Sequence, residues 1–145
     1  MVNFRKDKKT LLNKEKISVQ DTTKTQNFKI SFQYLDTSQK YASSFKDWQK
    51  VGLLSSALKT LQGYCCSPLL EQVDGQKFAI YGSFPKKERT KFEYPQGVPE
   101  DAKWARIHIL NRTVIIGHVV GDTFYVVFLD KTHKFYLTGR DVNKK

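Results

Sequence analysis

Arg106 and His108 stand two residues apart in the run Trp104-Ala105-Arg106-Ile107-His108, and His133 and Tyr136 follow after a polar turn. Imidazole titrates near neutrality, so it can take a proton or give one. A guanidinium can hold two oxygens of one phosphate. Cleavage of RNA through its own 2′-hydroxyl needs a base, an acid and a cation for the phosphorane-like transition state. Arg106, His108, His133 and Tyr136 are therefore the candidate catalytic residues, with Lys131 and Lys134 close by in the chain. The plain alternative is a surface Arg–His pair, which such spacing also gives. His118 falls among apolar residues and is expected to hydrogen-bond Tyr125 across the sheet.

Other chemistries lack their signatures. There is no H-E-x-x-H, no Gly-rich phosphate loop and no G-x-S-x-G. Cys65 and Cys66 are adjacent, a spacing at which a bridge needs strained geometry, so two free thiols in a reducing compartment are expected. No cysteine pairs with a histidine at metal-ligand spacing, so neither a metal nor a cofactor is expected.

A second set of residues suits binding. Lys86, Lys87, Arg89 and Lys91 lead into Phe92 and Tyr94. Basic residues interleaved with aromatics fit phosphate contacts and base stacking. Together with Trp104, Lys131 and Lys134, these make Lys86, Lys87, Arg89, Lys91 and Tyr94 the expected nucleic-acid-binding residues. The alternative is a solvated loop anchored by its aromatics. The formal charge is +11, and it is concentrated at the ends: residues 1–29 hold eight basic and three acidic side chains, and residues 131–145 hold five and one. Basic ends on a near-neutral body point to a polyanion; solubility alone is the bland reading.

The elements that must position these residues follow from hydrophobic spacing. Trp104 to Leu137 reads as consecutive antiparallel strands rich in Val, Ile, Phe and Tyr. Gly121-Asp122 suits a two-residue type II′ turn, and Asn111-Arg112 a similar loop. With both loops two residues long, one face collects Ala105, Ile107, Ile109, Val114, Ile116 and His118, and continues through Val120, Tyr125, Val127 and Leu129. The other face collects Trp104, Arg106, His108, Ile115, Gly117 and Val119, with Phe124, Val126 and Phe128. Arg106 is then expected opposite Gly117. A further hairpin through Asp130-Lys131-Thr132 returns His133 and Tyr136 toward the same edge.

Upstream, Phe28 to Tyr34 alternates as a strand with one buried face. Ser44 and Asp47 resemble a capping box. Phe45, Trp48, Val51, Leu54, Leu58, Leu61 and Cys65 recur at helical spacing, with a break near Gly52. Lys77 to Phe84 reads as another strand, and residues 85–103 as a long loop of the kind that is often functional. The expected fold is α+β: an antiparallel β-meander sheet with a helix or helical hairpin packed on one face, the other face partly open. Residues 1–26 are expected to be a flexible basic arm, 27–138 a single α+β domain and 139–145 a basic tail. No apolar run approaches a membrane span and the N-terminus lacks an apolar signal region, so a cytoplasmic protein without a membrane partner is expected.

A small basic chain with a strand, a helical hairpin, a β-meander and a closing Asp130-Lys131-Thr132-His133-Lys134-Phe135-Tyr136 resembles the RelE/ParE toxin superfamily over residues 28–137. The resemblance is one of topology and composition. It implies cleavage of messenger RNA, ribosome association and an antitoxin partner, and it points to Arg106 with His133 or Tyr136. The N-terminal basic arm and the 85–103 loop depart from that pattern. Two other readings remain. One is a non-catalytic nucleic-acid-binding module of a phage, plasmid or ribonucleoprotein system. The other is a protein-interaction module using an exposed face around Trp104, Phe124 and Phe128.

Overall fold

A computed structural model describes residues 26–138. The expected arm up to residue 25 and the tail at 139–145 lie outside the described residues. In chain order the elements are β1 (Lys29–Ser31), β2 (Ala42–Ser43), α1 (Phe45–Lys50), α2 (Leu53–Tyr64), β3 (Phe78–Gly82), β4 (Lys103–Leu110), β5 (Thr113–Val120) and β6 (Thr123–Asp130), with short 3-10 turns at Leu70–Gln72 and Lys87–Arg89. The architecture is α+β. Its sheet is mixed and mostly antiparallel, in the order β1-β6-β5-β4-β3, with β2 also on β6.

The helical segment is built locally. Ser44 Oγ accepts from the Asp47 amide while the Asp47 carboxylate accepts from the Ser44 amide, a complete capping box at the start of α1. Gly52 takes a φ of 78° between the two helices, a conformation few other residues hold without strain. This break rotates the apolar stripe. Trp48, Leu53, Ala57 and Leu61 are buried against the sheet, whereas Val51 and Leu58 of the expected stripe are exposed.

The strand expected over Phe28 to Tyr34 is cut to three residues. β1 pairs in parallel with β6 up to Ser31 opposite Tyr125. Just beyond, β6 carries an extra residue, Val127, between Gly117↔Val126 and Ile116↔Phe128. A straight partner cannot stay in register past a bulge. The chain turns at Leu35, whose amide reaches the Phe32 carbonyl, and Asp36 returns to bond the Val127 carbonyl. β2 then takes the far end of the same edge, against Leu129 and Asp130.

Bulges also correct the expected faces. Leu110 does face Thr113, but Ile109 is an extra residue in β4, so His108 rather than Ile109 faces Val114. One inserted residue turns every β5 side chain to the opposite face. Ala105, Ile107, Ile115, Val119, Phe124, Val126 and Leu129 therefore meet the helices. Trp104, Val114, Ile116, Val127 and Phe128 share the other side. Arg106 lies opposite Ile116, not Gly117. Gly117 faces the helices, and there the β6 backbone comes too close for any side chain.

The second face is covered, not open. Phe84, Phe92 and Val98 of the long loop pack on it together with Phe135. Phe92 stacks on Phe128 at 4.4 Å, and Phe135 meets Phe84 at 5.2 Å and Trp104 at 5.4 Å. Two backbone hydrogen bonds tie the covering segments together, from the Lys91 amide to the Lys134 carbonyl and from the Leu137 amide to the Arg89 carbonyl. Trp104, Phe124 and Phe128 are fully buried, so the exposed aromatic face expected as a partner surface does not exist. The third hairpin does not form either, because residues 131–137 leave the sheet and cross this face. Among the described residues no helix is long and apolar enough to cross a membrane.

His118 sits within the covered side. Its ring stacks on Tyr125 at 5.1 Å and lies 5.2 Å from Tyr34, but neither ring nitrogen has a hydrogen-bond partner, so the expected bond to Tyr125 is replaced by stacking. Burial holds its pKa below the ordinary 6.5. Burial disfavours the imidazolium in the folded chain, while the unfolded chain takes up a proton more readily as the pH falls past 6.5. The unfolded state then binds more protons, so stability is lost on acidification. His118→Phe keeps the stack and removes the titration. Going from about pH 7.5 to about pH 5.5, the wild type should lose more stability than the variant, read as parallel thermal melts, and equal losses would show that His118 is not the group responsible.

Candidate active site and nucleic-acid interface

The residues that could do chemistry come from one strand and a turn. β4 supplies Arg106 and His108 on one face, as strand alternation requires. The turn after β6 supplies His133. These three and Arg112 line one open cleft of about 350 Å3, completed by Gln76, Asn111, Val114 and Thr138. The cleft lies at the margin of the second face, where the covering loops stop short.

Each group is held. Arg106 Nη2 donates to the Gln76 carbonyl at 2.8 Å, and Nη1 lies 3.4 Å from the Tyr81 hydroxyl. Its guanidinium carbon is 5.7 Å from the centre of the Tyr81 ring. Arg106 Nε is buried without a partner. His108 Nε2 is 2.8 Å from the Asn111 carbonyl oxygen. A carbonyl only accepts, so this bond places the proton on Nε2 and leaves Nδ1 as the basic nitrogen. The bulge at Ile109 and the φ of 53° at Asn111 shape the hairpin that brings that carbonyl round.

His133 departs most from ordinary structure. Its φ is 62°, in the left-handed region that costs a β-carbon-bearing residue roughly 1–2 kcal/mol. Its Nδ1 is buried with no partner. What holds it there is Asp130, which is fully buried and accepts from the Lys134 amide at 2.9 Å and the Phe135 amide at 2.8 Å, one at each oxygen. Burial pushes the Asp130 carboxyl above its ordinary pKa, and the two amides partly offset this. An asparagine has one acceptor oxygen and would turn an N–H toward the second amide. Asp130→Asn should therefore cost about 1–3 kcal/mol in a denaturant melt, and should lower any activity that depends on His133. An unchanged midpoint would show that the carboxylate does not hold the turn.

Tyr136 does not join this cleft. It stacks on Tyr81 at 4.7 Å with the Arg89 guanidinium 5.5 Å from its ring, and it lines a neighbouring cleft with Lys86 and Arg89. Lys87 and Lys91 are exposed on the same loop. Lys131 is exposed, and its carbonyl accepts from Thr113 Oγ1; Lys134 is half-buried. Tyr94 lies elsewhere, its hydroxyl donating to the Pro99 carbonyl, in a separate cleft with Asp36 and Glu93. Trp104 is in the core, where no base can reach it.

Sequence reasoning missed Tyr81, Asp130 and Arg112. Tyr81 is the extra residue of a bulge between Ile80↔Ala105 and Gly82↔Trp104. Its hydroxyl is pushed up to about 12, mainly by burial, with Arg106 pulling the other way. A signal for Asp130 was present: a lone carboxylate directly after Val126-Val127-Phe128-Leu129 needs buried donors if the run is core. Arg112 was read only as a turn residue. Among the described residues no group of three or more His, Cys, Asp or Glu side chains is placed to hold a metal ion. No protein-family model, curated protein or solved structure matches this chain.

Proposed function

We propose that this chain is an RNA-binding, metal-independent endoribonuclease of the RelE-like toxin type. The observation that supports it is the convergence of Arg106, His108 and His133 on a single open cleft that also has Arg112 in its wall. On this reading His108 Nδ1 takes the proton of a ribose 2′-hydroxyl as its oxygen attacks the adjacent phosphorus. The P–O5′ bond breaks, and protonated His133 supplies the proton to the leaving oxygen. Arg106 faces the charge that develops on the non-bridging oxygens. The products are a 2′,3′-cyclic phosphate and a free 5′-hydroxyl. Tyr136 supports the site through Tyr81 rather than reacting. Messenger RNA, the ribosome and a neutralising antitoxin are the partners this reading implies.

Induced expression should arrest growth and leave cut transcripts, and Arg106→Ala or His133→Ala should restore growth at equal protein levels. Arrest that persists in both variants would remove the proposal. A second reading has its own support in the cations Lys86, Lys87, Arg89 and Lys91 on one loop: a non-catalytic nucleic-acid-binding module. It predicts salt-dependent RNA binding with no new RNA ends.

A further inference from the structure

The cleft next to the Arg106 site has a volume of about 450 Å3 and is lined by Tyr81, Ser83, Phe84, Lys86, Arg89 and Tyr136. No carboxylate is among these lining residues. Tyr81 links the two clefts: its hydroxyl meets Arg106, and its ring packs against Tyr136. Arg106, Tyr81, Tyr136 and Arg89 thus form a continuous ladder, with successive separations of 5.7, 4.7 and 5.5 Å. One guanidinium stands at each end.

We propose that the second cleft binds a backbone phosphate of the RNA strand whose scissile phosphate lies at Arg106, so that the substrate is a single strand laid across Tyr81. This rests on the endoribonuclease reading and adds a subsite to it. Three features carry it. The two cations are joined by two stacked rings, close enough for one short strand to span. Arg89 is set in place before any ligand arrives, because its amide donates to the Lys86 carbonyl, its carbonyl accepts from Leu137, and its guanidinium rests on Tyr136. Little ordering entropy is then left to lose on binding. Lys86 and Ser83 are exposed and add donors that suit a phosphate without reading a base.

The test uses the full chain and two RNAs made inert to cleavage by 2′-O-methylation, a dinucleotide and an octanucleotide, with binding read by fluorescence anisotropy. In Lys86→Ala/Arg89→Ala the octanucleotide should bind about tenfold more weakly, as expected for losing hydrogen bonds from charged groups. Its salt slope should be shallower by about 0.7, because one phosphate of a single strand is no longer neutralised by the protein. Dinucleotide binding should stay at the wild-type level. Arg106→Ala should weaken both. If the double variant proves unstable in a thermal melt, Arg89→Gln removes the charge while keeping more of the side chain than alanine does. Octanucleotide affinity and slope that ignore the loss of these cations overturn this inference alone. An equal loss on both RNAs merges the two clefts into one site and also overturns it. Failure of the wild type to bind either RNA overturns the endoribonuclease reading along with it.

Discussion

Arg106→Ala should lower the rate of RNA cleavage about 10²–10³-fold, the usual effect of removing one preorganised donor from a developing oxyanion. The loss should appear mainly in kcat, with a smaller rise in KM from the lost ground-state phosphate contact, because the guanidinium matters most when charge accumulates on phosphorus. Arg106 is well placed for this. Its Nη2 is anchored on the Gln76 carbonyl and its plane rests on Tyr81, so it does not reorganise as charge develops. Arg106→Lys should recover only part of the rate, since an ammonium cannot reproduce the planar fork. His133→Ala should cost about 10²–10³-fold by removing a proton donor. His133→Gly separates catalysis from strain: it relieves the φ of 62° and should raise the melting temperature while activity stays lost. Variants that lose stability without losing rate would assign these residues to structure.

Gly117→Ala should give the largest loss of stability, at least about 3 kcal/mol and about 10 °C or more in melting temperature. A β-carbon at this position would lie 2.1 Å from the Tyr125 carbonyl oxygen and 2.7 Å from Cε1 of Phe124. The first contact is with backbone in the middle of the sheet, which cannot swing aside as a flexible side chain can. The close approach comes one step before the Val127 bulge, where β6 bends toward β5. In a domain whose total stability is about 5–15 kcal/mol, the substitution should leave a measurable unfolded fraction. A melt within a degree or two of wild type would mean that β5 and β6 do not approach as described.

Local signals made much of this fold legible. Ser44 and Asp47 announce the start of α1, and Gly52 the break after it. Gly121 takes the positive φ expected of it, 61°. The three long strands follow their runs of Val, Ile and Phe. The faces of those strands were not legible. Ile109, Tyr81 and Val127 are each a single extra residue inside an apolar run, and composition does not distinguish a bulged Val or Ile from a regular one. Each insertion inverts the faces downstream, so counting by twos from the turns failed in β5.

The covered second face was hidden for a different reason. Phe84, Phe92 and Phe135 reach it from segments without regular structure, and only long-range packing shows that they meet. The candidate site was partly legible. Arg106 and His108 share a face by alternation alone, and the polar turn after β6 does bring His133 to them. Trp104 was misassigned because a strand-end tryptophan reads the same whether it is exposed or buried. Tyr94 lies apart from the other candidates because its loop folds toward a different cleft.

The most direct test incubates the purified chain, in excess chelator, with an RNA oligonucleotide and with the same sequence bearing 2′-deoxyribose throughout. The proposed chemistry predicts that only the RNA is cut, leaving 2′,3′-cyclic phosphate ends, and that Arg106→Ala/His108→Ala/His133→Ala leaves it whole. Intact RNA with the wild type, cutting of the deoxy strand, or undiminished cutting by the triple variant would each contradict it.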